Sequence, residues 1–255
     1  MNIAFFVQNN LVERMTVPVA CYARENGMLL YDRSSAEDFN PDDCGIDWTD
    51  LIVFPFGSVQ FIRKIQNSSL RKFIFHDPIG FSSNHWLNMF GDKLLNGSGQ
   101  IIPLSNVSDY LSVFGPMHLR PNSVDKAFTG AVYDIDTWAN TKKIEDPQLL
   151  CWASPVQHIL SEWRCWIVDG QVVEICQYRK DNAMFISRTF EQSVYDAAQD
   201  MANIYTPSEC VVMDLALTKN GYKLIEFNPI QSSGWYGADS NAVLREITLY
   251  LTKNT

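Results

Sequence analysis

The residues with the clearest chemical content are Asp214 and, beyond Lys219-Asn220-Gly221, the run Glu226-Phe227-Asn228-Pro229. Cys210 to Leu217 and Tyr222 to Phe227 flank the Asn-Gly turn signal, and this pattern predicts a β-hairpin. Side chains alternate faces along a strand, so Glu226 and Asn228 share a face, and the turn folds Asp214 back beside them. Two carboxylates and a carboxamide form a hard, oxygen-only set. Such a set suits Mg²⁺, which is held through one or two carboxylates, waters and the phosphate oxygens of a nucleotide. The same residues also read as the solvent face of an amphipathic strand, and spacing alone leaves both readings open.

A phosphate ligand would need cations nearby, because the chain as a whole is acidic. Lys and Arg number 20 against 29 Asp and Glu, a formal net charge of −9, so no global field draws nucleic acid or an anionic membrane. Arg120 ends a predicted strand, Val113 to Leu119, and is followed by Lys126 and one glycine, Gly130. Arg120 and Lys126 supply the fixed charge that phosphates require, or they are exposed loop charges. Glu162 and Arg164 share a face of a later strand, where Arg164 has the alternative of a stacking or salt-bridge role among Trp163 and Trp166. Tyr178-Arg179-Lys180 ends the neighbouring strand near Arg164 and is a candidate for phosphate or substrate carboxylate, as is Arg188. Gln231-Ser232-Ser233-Gly234-Trp235-Tyr236 follows the oxygen ligands directly and is either an acceptor-positioning loop or a simple turn. His76, His85, His118 and His158 have no metal-ligand spacing and no G-x-S-x-G is present, so neither zinc nor a covalent triad is expected. His76, closing a predicted strand beside the cleft, is a candidate substrate contact.

The elements that must position these residues fall into two textures. Up to about residue 90, short apolar runs (Ile3 to Val7, Met28 to Tyr31, Leu51 to Phe54, Phe73 to Phe75) alternate with amphipathic stretches, the pattern of an open, parallel α/β sheet. Asp77-Pro78-Ile79-Gly80 breaks it, and a helix is expected from Trp86 to Leu95. Thereafter strands are expected at Ile101 to Pro103, Tyr110 to Leu119, Ala127 to Tyr133 and Leu149 to Ala153. A hairpin follows, Glu162 to Val168 and Gln171 to Tyr178 about Asp169-Gly170. Helices are expected over Phe190 to Tyr205 and Asn241 to Leu251.

In this order the segments resemble the ATP-grasp superfamily. Asp214, then Glu226-x-Asn228 and Gly234, is similar to its metal signature. Glu162 to Val173 is similar to the acidic-x-Arg strand and turn of the ribosomal-protein glutamyl ligases within it. Asp92 to Leu95 followed by Gly99 to Pro103 resembles the helix and strand that open the region. Most members carry Lys on the phosphate strand before a glycine-rich loop. Arg120 with Lys126 resembles instead a small, often phage-borne clade with Arg on that strand.

The resemblance implies an α/β fold with an N-terminal open domain, 1–90, and an ATP-grasp domain, 91–255, made of a small lobe (91–154) and a C-terminal lobe (155–255). It implies ATP and Mg²⁺ as cofactors, with Asp214, Glu226 and Asn228 as metal ligands and Arg120 and Lys126 on phosphate. Cys151, Trp152, Ala153 and Ser154 match the segment that holds adenine, Glu162 the ribose acceptor, and Arg164 the group facing the reacting phosphate or carboxylate; Arg179 and Lys180 complete the nucleotide-binding set. The implied activity is ATP-driven joining of a carboxylate to an amine through an acyl phosphate, on an amino acid, a peptide or a protein terminus. A phosphotransferase, or a nucleotide-binding module without turnover, is the alternative. The six cysteines lack any C-x-x-C pair and are expected as reduced core thiols, and no apolar stretch is long enough for a spanning helix. The N-terminal segment has no signal-peptide pattern, so a cytoplasmic setting is expected.

Overall fold

The computed structural model describes residues 2–34, 39–122, 128–141 and 146–254. Apolar Ile3 to Val7 lies within β1 (Asn2–Gln8), the middle strand of a parallel sheet ordered β2-β1-β3, with β2 at Leu29–Arg33 and β3 at Leu51–Phe56. Helix α1 (Glu13–Glu25) forms the crossover from β1 to β2, and α2 (Val59–Gln66) follows β3, with the Ser58 side chain accepting from the Phe61 N–H at its start. Phe73 to Phe75, expected as a further strand, is not one. Ser69–Phe73 is a 3-10 turn, and the backbone after it pairs with a side chain. The buried Gln231 amide accepts from the Phe75 N–H at 2.9 Å and donates to the Phe73 carbonyl at 2.9 Å, standing in for a peptide group of a missing strand.

Helix α3 (Ser83–Phe90) ends at Gly91, whose φ of +53° stops the helix short of the expected Leu95. The second sheet is ordered β4-β7-β5-β6, comprising β4 (Gln100–Pro103), β5 (Met117–Pro121), β6 (Ala131–Tyr133) and β7 (Leu150–Pro155). Tyr110 to Leu119, expected as one strand, divides into α4 (Val107–Phe114) and β5. Val107 and Leu111 bury at helical spacing, Tyr110 and Phe114 pair their rings at 5.5 Å, and Gly115 at φ +74° ends the turn. The short α5 (Ile135–Ala139) is fixed by a capping box on Asp134.

The third sheet is antiparallel, ordered β10-β9-β8-β11-β12. Its strands are β8 (Ile159–Val168), β9 (Gln171–Lys180), β10 (Ala183–Ser187), β11 (Cys210–Thr218) and β12 (Gly221–Pro229), with α6 (Gln192–Ile204) before β11 and α7 (Ser240–Asn254) at the end. Asp169 and Gly170 both adopt positive φ, as the tight hairpin requires. Edge strand β10 has no counterpart among the elements expected from the sequence.

The two faces of this sheet bury different partners. Cys165, Ile167, Met213 and Leu215 face α6 and α3. Trp166, Val168, Cys210 and Val212 face the other way, into one core shared with β1, β3, α1 and α7. The N-terminal sheet is thus welded to the C-terminal lobe, and the face carrying that weld continues into Arg164 and Asp214. All six cysteines are free, but only Cys151, Cys165, Cys176 and Cys210 are buried; Cys21 and Cys44 are half-buried, not core thiols as expected.

Candidate active site

A cavity of about 1240 Å³ opens where the three sheets meet. Its walls include His118 and Arg120 from β5, Glu162 from β8, Tyr178 and Arg179 from β9, Asp214 from β11, and Glu226 and Asn228 from β12. Register brings the last three together: Asp214 lies opposite Glu226, and Val212 opposite Asn228. A β-bulge follows at once, since Leu215 pairs with Leu224 and Ile225 is the extra residue. The bulge turns Leu224 to the apolar face while Glu226 and Asn228 stay with Asp214.

Each carboxylate of the cavity is held by an arginine. Arg164 lies opposite Asp214 and grips it in a fork, Nε and Nη2 donating to Oδ1 and Oδ2 at 2.8 Å each. Arg120 meets Glu226 at 3.0 Å, and Arg179 meets Glu162 at 3.3 Å. The Tyr178 hydroxyl donates to Glu162 at 2.6 Å. Asn228 Nδ2 donates to both Asp214 and Glu226, at 3.2 and 3.1 Å.

Burial sets the protonation chemistry. It pushes the Asp214 carboxyl above its ordinary value, and Arg164 opposes the shift. Burial alone would lower the Arg164 guanidinium, but the charge and hydrogen bonds of Asp214 reverse this and raise it. Tyr178 is raised by burial and by the charges of Asp214 and Glu162, so it stays a neutral donor. His118 is lowered to about 4 by burial and by Arg120, and it is a neutral imidazole near pH 7.

Most of the residues expected from sequence therefore meet on one wall, though not all in the expected posture. Arg164 is 8% exposed and does not line the cavity; it sits behind Asp214, donates to the Gly234 carbonyl at 3.3 Å and lies 4.9 Å from the Tyr236 ring centroid. An Arg facing the reacting group directly is not what this arrangement shows. Cys151, Trp152, Ala153 and Ser154 are buried within β7, and none of their side chains lines the cavity; Gln157 and Ile159, just beyond, do. Lys180 is outside it, its ammonium 5.8 Å from the Phe185 ring, and Arg188 is engaged elsewhere with Glu174 and Asp239. Lys126 lies outside the described residues.

Within the loop after β12, Gln231 and Trp235 are structural, Trp235 stacking between Phe56 and Trp166. Ser232 and Ser233 line the cavity. Sequence reasoning missed His118, Asn96 and Trp86 as cavity residues. The signal for His118 was its place two before Arg120 on one strand face; Trp86 has none, since it reaches the Arg120 guanidinium, 5.5 Å from its ring, only through the fold.

Sheet order and the Asp214, Glu226, Asn228 cluster together define a nucleotide-dependent ligase fold. A family model for the ATP-grasp domain, the second family of its clade, matches residues 102–246, more than half of the chain, and the chain belongs to this family. Among solved structures it is similar to a RimK domain ATP-grasp protein from Sphaerobacter thermophilus, at 10% identity over 97% of this chain and 99% of that one, TM-score 0.65. It is similar to D-alanine--D-alanine ligase from Bacillus anthracis, at 10% identity over 99% and 98%, TM-score 0.63. The ATP-grasp ligase PsnB, complexed with minimal precursor, Mg and ADP, aligns at 12% identity over 99% and 98%, TM-score 0.59. No curated protein matches. Among the described residues, no helix is long and apolar enough to cross a membrane.

Proposed function

We propose that this ATP-grasp chain is an ATP- and Mg²⁺-dependent carboxylate–amine ligase acting through an acyl phosphate. The observation that carries the reading is the convergence of Asp214, Glu226 and Asn228 with Arg120 on one cavity wall. The donor set fits the ion. The described residues hold no cluster of three His, Cys, Asp or Glu, and Mg²⁺ needs none, since phosphate and water complete its shell. The Asn228 N–H groups already bridge the two carboxylates as a positive centre would. When bound, Mg²⁺ supplies neutralisation of the β and γ phosphate oxygens.

The chain's own residues do the rest. Arg120 leaves Glu226 for phosphate, which frees the carboxylate as the phosphates arrive, and Lys126 is the second phosphate cation. Arg164 acts through Asp214, keeping it ionised and oriented; Glu162, set by Tyr178 and Arg179, accepts from the ribose. The backbone of Cys151 to Ser154 leads to the adenine edge, with Arg179 and Lys180 near the outer phosphates. A substrate carboxylate oxygen attacks the γ-phosphorus and ADP departs. The amine then attacks the acyl carbon, losing a proton, and phosphate leaves. Closed cavity walls keep water from the acyl phosphate. The partners are an amino acid, a peptide or a protein terminus, and the free thiols suit a reducing cytoplasm.

Hydroxylamine tests the reading. With ATP, Mg²⁺ and a panel of carboxylates, it is expected to yield a hydroxamate in step with ADP, and Glu226→Gln to abolish both. Phosphate recovered on a hydroxyl acceptor would instead make the chain a phosphotransferase.

A further inference from the structure

The cavity is larger than one ligand needs. Ligand sites commonly span roughly 300–1,000 Å³, against about 1240 Å³ here. The additional wall belongs to the N-terminal unit: Val59, Ile62, Arg63 and Gln66 from α2, with His76 and Phe81 beyond.

Its chemistry differs from that of the phosphate end. Among the described residues, the acids lining the cavity are Glu162, Asp214 and Glu226, all on β8, β11 and β12. The N-terminal wall contributes a guanidinium and an imidazole. The adjacent Asp77 is turned into its own loop, where it accepts from the Ile79 and Gly80 N–H groups. His76 Nδ1 accepts from the Gln66 amide at 3.0 Å, so the ring proton of neutral His76 lies on Nε2, a donor. Beside these polar groups, Ile62 and Phe81 are buried and Val59 is exposed at the surface. Anion-binding donors next to an apolar wall, across from a wall carrying three carboxylates, match a zwitterion: a carboxylate at one end, an amine at the other and an apolar side chain between.

We propose that this wall selects the amine reactant, and that the reactant is an α-amino acid with a free carboxylate and an apolar side chain. Arg63 and His76 take its carboxylate, Val59, Ile62 and Phe81 its side chain, and its amine is left toward the phosphate end. The proposal rests on the ligase reading above.

Calorimetry on the full chain tests it, titrating leucine, leucinamide and aspartate with and without Mg²⁺ and a non-hydrolysable ATP analogue. Leucine is expected to bind at least about tenfold more tightly than leucinamide, as a lost charge-assisted contact implies, and more tightly than aspartate. Arg63→Met should erase the leucine preference over leucinamide, Arg63→Lys should retain part of it, and both should still bind the analogue, which shows the fold intact. Equal affinity for leucine and leucinamide, an unchanged ratio in Arg63→Met, or no leucine binding to a chain that binds the analogue would overturn the proposal. Failure of the analogue to bind the unmodified chain overturns the ligase reading instead, and leucine titrated without nucleotide still decides the wall.

Discussion

Replacing Arg164 with Met isolates the electrostatics that hold the site together. Arg164 is 8% and Asp214 3% exposed, and two hydrogen bonds of 2.8 Å join them, so removing the guanidinium strands a carboxylate away from water. Breaking a buried pair from one side costs about 3–5 kcal/mol. With a urea m-value of about 3 kcal/mol/M, the unfolding midpoint should fall by about 1–1.7 M.

The loss must also depend on pH, in a definite direction. Burial, Glu226 and Glu162 all raise the Asp214 carboxyl, and without Arg164 its largest opposing influence is gone. The folded variant therefore binds a proton that the unfolded chain has released, across the window from the ordinary Asp value of about 3.9 upward to the raised folded value. Stability in that window falls as pH rises, by up to about 1.4 kcal/mol per unit. Relative to the unmodified chain, the variant should lose most near pH 8 and recover toward pH 5. Urea titrations followed by tryptophan fluorescence at the two pH values measure it, with Trp166 and Trp235 as buried reporters. A cost below about 1 kcal/mol, within the range of an exposed pair, or a cost that does not change with pH, would refute the buried fork.

Two further substitutions separate binding from folding. Arg120→Met breaks a pair whose side chains are 17% and 31% exposed, so the nucleotide-free chain should change by only about 0–1 kcal/mol. ATP affinity, read from thermal protection, should fall by about 1.5–3 kcal/mol, on the order of 10–150-fold. Trp235→Ala removes a ring stacked on Phe56 at 5.5 Å and on Trp166 at 6.2 Å, with its N–H on the Met15 carbonyl at 2.9 Å. It should cost about 3–5 kcal/mol and loosen the Ser232 to Tyr236 loop, seen as faster proteolysis there.

What the sequence revealed was what local periodicity encodes. Asp214, Glu226 and Asn228 were legible because a two-residue period and an Asn-Gly turn place them together without knowledge of the rest of the chain. Tyr110 to Phe114 was misread because a short apolar run fits a strand or a buried helix equally well, and Gly115 decides only once its φ is known. Phe73 to Phe75 looked like a strand because nothing local shows that its partner is the Gln231 side chain, more than 150 residues on. The ion pairs were not legible either: whether Arg164 faces substrate or Asp214 is set by the register of β8 on β11, and the bulge at Ile225 sets the posture of Glu226. Edge strand β10 was hidden because Met184, Phe185 and Ile186 are all exposed and show no inside–outside alternation.

The central claim, that the chain joins a carboxylate to an amine through an acyl phosphate, is tested most directly by an oxygen label. A carboxylate that yields hydroxamate is prepared with ¹⁸O in both carboxyl positions and supplied with ATP, Mg²⁺ and amine. Attack by that oxygen on the γ-phosphorus predicts that released inorganic phosphate carries one ¹⁸O and the amide retains the other. Unlabelled phosphate formed together with amide, or label appearing in AMP, would contradict it.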